Sequence, residues 1–151
     1  MNLENKVVVI SGGASGLGLA TARYLVKKKK AKVALLDMNR EAGLSAVEEL
    51  GDENAIFIAT DVTEENDVDA AISATIQKFG AIHVDINAAG IVAPKKILDK
   101  NGIAGSINNF RNVINVNLVG LYTVMAKCAE KMALNEPDQN GERGVIINVS
   151  S

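Results

Sequence analysis

Residues 11–18 read Ser11-Gly12-Gly13-Ala14-Ser15-Gly16-Leu17-Gly18. They stand between an apolar run, residues 7–10, and a stretch in which Leu17, Ala20, Tyr24 and Leu25 recur at helical spacing. A strand that breaks on glycines and passes at once into a helix turns tightly. Its backbone can approach a pyrophosphate, whose charge then sits on the helix N-terminus. The spacing is G-x3-G-x-G rather than the common G-x-G-x-x-G, and the Gly-Lys-Ser/Thr of a P-loop is missing. The same glycines would also serve plain close packing of helix on strand, so the surroundings decide the reading.

Those surroundings supply a sheet. Five short apolar runs, residues 7–10, 33–36, 56–59, 82–86 and 145–149, are rich in β-branched residues and nearly continuous. Strands covered on both faces read this way. Helical periodicity lies between them. Val68, Ile72, Thr75, Ile76 and Phe79 form one stripe, with Thr63 placed to cap it and Glu64 and Glu65 favoured by the helix dipole. Strict alternation of strand and helix predicts right-handed crossovers and a doubly wound α/β fold. The expectation is a Rossmann-type parallel sheet with helices on both faces, ending after a fifth strand. At 151 residues and 48% hydrophobic there is material for one core, so residues 1–151 are expected to be a single domain.

Asp37 closes the second strand, 19 residues after Gly18. An acid there can accept both ribose hydroxyls of an adenosine and repels a 2′-phosphate. Coupled to the glycine loop it points to NAD rather than NADP, with Ser11, Gly12, Ser15, Gly16, Leu17, Gly18 and Asp37 as candidate cofactor-binding residues. Asp61, with Val62 beside it, closes the third strand at the same edge; by spacing it reads first as a turn residue, with an adenine contact as the alternative. The fourth strand ends there too, in Asn87-Ala88-Ala89-Gly90.

Composition narrows the partners. A net charge of −2 and the lack of a long basic stripe argue against nucleic acid. No apolar stretch is long enough to span a bilayer, and residues 1–6 run straight into the first strand without room for a signal peptide. A soluble cytoplasmic protein is expected. The single cysteine, Cys128, excludes an intrachain disulfide and reads as a buried thiol, and no metal site is expected. Lys27-Lys28-Lys29-Lys30 reads as the solvated last turn of the first helix, where cations complement the dipole. Residues 106–133 read as one long helix, apolar nearly all round. One of its faces is for the sheet and another for a second copy, so a dimer or tetramer is expected.

In order and spacing, residues 11–18, Asp37, Asp61-Val62, residues 87–90, Asn117-Leu118-Val119-Gly120 and residues 144–151 resemble the short-chain dehydrogenase/reductase family. The resemblance covers the whole chain. Within the family, residues 12–22 (GGASGLGLATA), the length of the loop 93–105 and the stretch NEPDQNGERGVIIN are similar to the branch acting on 3-hydroxyacyl-CoA thioesters and hydroxysteroids. The resemblance implies an NAD-dependent oxidoreductase of a secondary alcohol or ketone. It makes Gly12, Gly16 and Gly18 the pyrophosphate turn, Asp37 the ribose reader and Asp61-Val62 the adenine clamp. Asn87 and Gly90 would line the nicotinamide side, with Ala88 and Ala89 between them as further cofactor-binding candidates. Asn117, where a helix can open locally, would hold a water in a proton relay, and Ser151 would hydrogen-bond the substrate oxygen; these two are the candidate catalytic residues. The two-fold pairing of long helices within a tetramer follows from the same resemblance. Lys95, Lys96 and Lys100 either meet coenzyme A phosphates or belong to a solvated loop.

The chain departs from the family in places. Ser11 replaces a Thr, Ala88 an Asn, and Lys30 a helix-ending glycine, where a left-handed residue with a Cβ costs about 1 kcal/mol. Asp85 falls mid-strand where the family prefers an apolar residue, and His83, two residues earlier, is a candidate partner for it. The family's proton donor, a Tyr with a Lys four residues on, lies downstream of the serine. Tyr24 and Tyr122 are the only tyrosines, both precede Ser151, and neither is read as that donor. The chain is therefore expected to be the N-terminal part of a longer protein and not to turn over alone. A non-catalytic dinucleotide-binding module is the alternative; Asn117 and Ser151 favour the enzyme.

Overall fold

The structure, a computed structural model, describes residues 2–149. Strands β1 (Val7–Ser11), β2 (Lys32–Asp37), β3 (Ala55–Ala59), β4 (Val84–Asn87) and β5 (Val145–Asn148) pair in parallel in the order β3-β2-β1-β4-β5. Each lies within two residues of its apolar run. Parallel neighbours need crossovers, which here run through α1 (Gly16–Lys29), α2 (Arg40–Leu50), α3 (Glu65–Phe79), α4 (Ile107–Ile114) and α5 (Leu121–Met132). Successive strand residues face opposite ways. Val8, Ile10, Val33 and Leu35 pack under α1 and α2, whereas Val9, Ala34 and Leu36 pack under α3 and α5. Helices thus cover both faces, as expected of a doubly wound sheet. The chain order reverses between β1 and β4, and such a reversal opens a crevice at the carboxyl ends of the strands. No helix among the described residues is long and apolar enough to cross a membrane.

Three local expectations need correction. Thr63 does not cap α3; Glu64 is the N-cap residue, and Thr63 instead turns its N–H and hydroxyl onto Asp61. Residues 106–133 are helical but are not one α-helix, because a π-helical turn, Asn115–Gly120, joins α4 to α5. Only α5 seats firmly on the sheet, through Val124, Cys128 and Met132, while α4 buries no residue. Burial on most sides therefore fails for α4, which stands off the sheet. His83 and Asp85 do not pair, because His83 Nδ1 accepts the Val7 N–H at 3.1 Å, at the entry to β1. Burial, then the charge of Lys6, lowers the His83 pKa, in keeping with a neutral ring.

Lys30 ends α1 in the left-handed conformation (φ 57°, ψ 28°), the place a glycine would take. The two long loops close on the same turn. Asp99 Oδ1 accepts the N–H of Asn101 (2.8 Å) and Ile103 (2.9 Å), and Asp138 Oδ1 those of Asn140 (2.8 Å) and Glu142 (3.0 Å). The common Asp-x-Asn-Gly sequence explains it, since an aspartate can cap its own turn two residues on.

Candidate functional site

The carboxyl ends of β1, β2 and β4 frame a cleft of about 350 Å³. Of the candidate residues, Gly12, Ser15, Gly16, Leu17, Gly18, Asp37, Asp61, Val62, Ala88, Ala89 and Gly90 line it. Ser11 and Asn87 do not; both are buried beneath it. Ser151 lies outside the described residues, as does Ser150.

The floor is the glycine loop. Gly12 and Gly13 both donate their N–H to the Leu36 carbonyl, at 2.8 and 3.3 Å, which draws the loop over the end of β2. The first turn of α1 lies against that loop so closely that a Cβ on Gly18 would stand 2.1 Å from the Gly12 carbonyl oxygen. Ser15 is the N-cap residue of α1 but makes no side-chain cap, and the first turn holds no acid. The N–H groups of that turn have no partner within the helix, so the cleft ends on a positive dipole that no acid of the first turn answers.

Asp37 forms one wall, half-buried at the end of β2. Its Oδ2 accepts the Ala14 N–H at 3.1 Å and its Oδ1 the Asn39 N–H at 3.0 Å, so the carboxylate ties the glycine loop to the entry of α2. Asp61 faces the same cleft, yet its Oδ1 takes the Thr63 N–H (2.9 Å) and hydroxyl (2.7 Å), the turn role its spacing suggests. Val62 is buried against Gly120, where a Cβ would meet its Cγ2 at 2.5 Å.

Below Ala88 and Ala89 a polar chain runs into the sheet. Ser11 Oγ donates to Asn87 Oδ1 and accepts the Ala89 N–H, each at 3.4 Å. Asn87 Nδ2 donates to Asp85 Oδ2 at 2.6 Å and to Asn148 Oδ1 at 3.0 Å. Burial pushes the Asp85 carboxyl up to about 6, against the opposing pull of its bond with Asn87 and of the Cys128 thiol beside it. Burial likewise drives the Cys128 thiol far above its ordinary value, leaving it inert.

Asn117 sits in the π-helical turn, where the resemblance puts a local opening of the helix. Its side chain is spent on the backbone of Ile91. Ile91 and Asn117 also border a second cavity of about 520 Å³ that opens under the loop after β4, with Val92, Ile97, Phe110 and Val113 on its walls. Lys95 and Lys96 line this cavity and Lys100 does not. Leu36, Met38, Thr60, Ile91 and Val116 line the first cleft although the sequence pattern does not single them out. The first four directly adjoin candidate residues at the strand ends and are within reach of that rule; Val116 arrives by tertiary folding alone. Tyr24 carries a local signal of its own: Lys28 follows it at the Tyr-x-x-x-Lys spacing. The pair lies on the outer face of α1, with the Tyr24 ring exposed and Lys29 Nζ 5.6 Å from its centroid, away from the cleft.

A family model described as short chain dehydrogenase matches residues 6–151. The chain is 44% identical over 151 residues to 3-hydroxyacyl-CoA dehydrogenase type-2 of Bos taurus and 43% identical to that of Homo sapiens, in each case across 99% of this chain and 57% of the relative. It therefore spans little more than half the length of the curated relatives it matches. The crystal structure of 3-hydroxyacyl-CoA dehydrogenase type-2 from Mycobacterium avium superposes with a TM-score of 0.91 at 33% identity, over 100% of this chain and 59% of that one. A 3-ketoacyl-(acyl-carrier-protein) reductase from Brucella melitensis, complexed with NADH, superposes at 0.85 and 32% identity, over 99% and 58% of the respective chains.

Proposed function

This chain belongs to the short-chain dehydrogenase family, and from that premise we propose that it binds NAD in the cleft as part of an oxidoreductase acting on a secondary alcohol or ketone. The observation that carries the reading is Asp37: a half-buried carboxylate on the cleft wall, bonded to the glycine loop itself. A carboxylate accepting two N–H groups still has lone pairs for two ribose hydroxyls. A phosphate in that place would be repelled.

The residues present fit such a cofactor. The uncapped first turn of α1 with Gly12, Gly16 and Gly18 would hold the pyrophosphate, and the Cβ position of Gly16 has nothing within 4 Å to obstruct a ligand. Asp37 would hold the ribose, Asp61, Val62 and Met38 the adenine, and Ala88, Ala89 and Gly90 the nicotinamide end, with Ser11 and Asn87 supporting them from beneath. When bound, the nicotinamide supplies or accepts a hydride. The second cavity, which shares Ile91 with the first, would take the substrate. Its apolar walls suit an acyl chain, Lys95 and Lys96 suit the phosphates of a coenzyme A thioester, and the relatives named 3-hydroxyacyl-CoA dehydrogenase support that class. Ser151 would bond the substrate oxygen. Asn117, its side chain committed to Ile91, would offer its main-chain carbonyl to a relay water. Neither Tyr24 nor Tyr122 lines the cleft or the second cavity to hand over a proton, so these 151 residues on their own are expected not to turn over.

Titrating the full chain encoded by the gene with NADH and NADPH, followed by cofactor fluorescence, tests the reading. NADH should bind about tenfold or more tightly, because the repulsion at a partly desolvated carboxylate is on the order of 1–4 kcal/mol. Equal affinities would refute the ribose contact, and binding of neither would refute the function.

A further inference from the structure

Strand β4 carries a carboxyl that the proposed function does not use. Asp85 stands mid-strand and fully buried, and its register partners, Val9 on β1 and Ile146 on β5, are apolar. A strand interior admits such a group only when it is bonded or has lost its charge. Oδ2 has its bond to Asn87, but Oδ1 has none, the only buried side-chain oxygen or nitrogen so placed among the described residues. From α5 the Cys128 thiol lies against the carboxyl and is the one titratable group bearing on it.

Asn87 is the hub above it. Through Asn148, Ser11 and the Ala89 N–H, this one amide joins the ends of β1, β4 and β5 to the wall of the cleft. A side-chain amide can turn over, exchanging nitrogen for oxygen, and the Ser11 hydroxyl can serve either orientation. An ionised carboxylate cannot, because it only accepts. A turned-over Asn87 would set two oxygens face to face across 2.6 Å.

We propose that Asp85 is a positioning residue of the site: its acceptor-only carboxylate locks Asn87 in the orientation that keeps Ser11, Asn148 and the Ala89 wall in register. The proposal rests on the reading of the cleft as a nicotinamide dinucleotide site. Protonation releases the lock, since a carboxylic acid can donate to a turned-over Asn87. With the carboxyl raised to about 6, the lock holds above that pH and loosens below it.

The test is Asp85→Asn in the full chain. The amide is close in shape and, like the protonated acid, accommodates either orientation of Asn87. Wild-type kcat should decline on the acid side with a limb near pH 6. The variant should lack that limb and, at about pH 8, show kcat lowered about tenfold by misplacement of the wall. Its Kd for NADH should stay within about threefold of wild type, because the glycine loop and Asp37 are untouched. A variant that keeps the limb, or matches wild-type kcat at that pH, overturns the proposal. If the variant does not fold, the Asn87 side-chain amide signals of the wild type decide by NMR: signals that stay still through the ionisation near pH 6 overturn it as well. A wild type that binds NADH without these signs counts against Asp85 alone. One that binds no NADH counts against the reading of the cleft.

Discussion

Asn117 holds Ile91 by both of its backbone polar atoms, its Nδ2 donating to the Ile91 carbonyl at 3.0 Å and its Oδ1 accepting the Ile91 N–H at 2.8 Å. Ile91 borders both cavities, so a residue of the π-helical turn pins the partition between them. The backbone groups satisfied are those of the loop, which has no ladder of its own at Ile91. Here the wider turn and the loop after β4 are fastened to each other.

Replacing Asn117 by Ala removes both bonds at once. Ile91 is 40% exposed, so water can take over its N–H and carbonyl and the cost in stability should be about 1–2 kcal/mol. Urea denaturation should show a lower midpoint with an unchanged slope. Amide exchange at Ile91 should quicken, and unaltered protection there would contradict the clamp.

Gly18 and Gly16 are two residues apart and should respond very differently to alanine. A methyl on Gly18 meets the Gly12 carbonyl oxygen at 2.1 Å, backbone that cannot step aside. Gly18→Ala is expected to lose about 2–3 kcal/mol and to weaken NADH binding. Gly16 has open space but a left-handed φ of 49°, so Gly16→Ala should cost only about 1 kcal/mol of backbone strain. Thermal melting of the two variants side by side separates the cases; equal shifts would contradict the packing argument.

Asp85 makes stability depend on pH in a definite direction. Its carboxyl titrates at about 6 in the folded protein, against 3.8 for an aspartate free in water. The folded protein therefore holds the proton more tightly, and stability is full below the unfolded value and lost as pH rises through the folded one. The loss spans about pH 4 to 6 and amounts to about 3 kcal/mol for a shift of this size. Asp85→Asn should abolish that slope. Guanidinium unfolding of both proteins at each end of the window measures it, and parallel losses in the two would exclude Asp85 as the source.

An exposed apolar edge runs from α4 through the π-helical turn into α5, and association with a second copy of the chain is expected there. Ile107 and Phe110 are each 63% exposed, Leu118 59% and Tyr122 63%. A patch of that kind, on helices of which only α5 is seated on the sheet, is expected to be covered by association. Light scattering of the full chain should give a dimer or larger at micromolar concentration, and Phe110→Glu with Leu118→Glu should shift it toward monomer. A wild-type monomer under those conditions would refute the association.

Much of this was legible in local pattern. Val7 to Ile10, the glycine loop and Asp37 announce a strand, a turn and a strand end in the chain order that a parallel sheet requires, because side-chain periodicity and glycine freedom are properties of neighbours in sequence. Lys30 shows the same: a left-handed residue at the end of α1 follows from where the helix must stop. The prediction for Thr63 missed because two hydroxyl-binding options, the cap and Asp61, lie within two residues of each other, and only the folded turn chooses.

What the sequence by itself determined, then, is the kind and order of the strands and the chemistry carried at their ends. The tertiary structure alone decided which of those groups meet a ligand and which meet each other. Asn87 looks from sequence like a cleft residue, yet β1 and β5 close over it and turn its amide toward Ser11, Asn148 and Asp85. His83 looks like a partner for Asp85, yet the entry of β1 claims its ring first. Each is a competition for hydrogen bonds among groups far apart in the chain, Ser11 and Asn87 standing 76 residues apart. A linear pattern can place the contestants on their elements, but the winner is set by strand register and burial, where an unmade bond costs most.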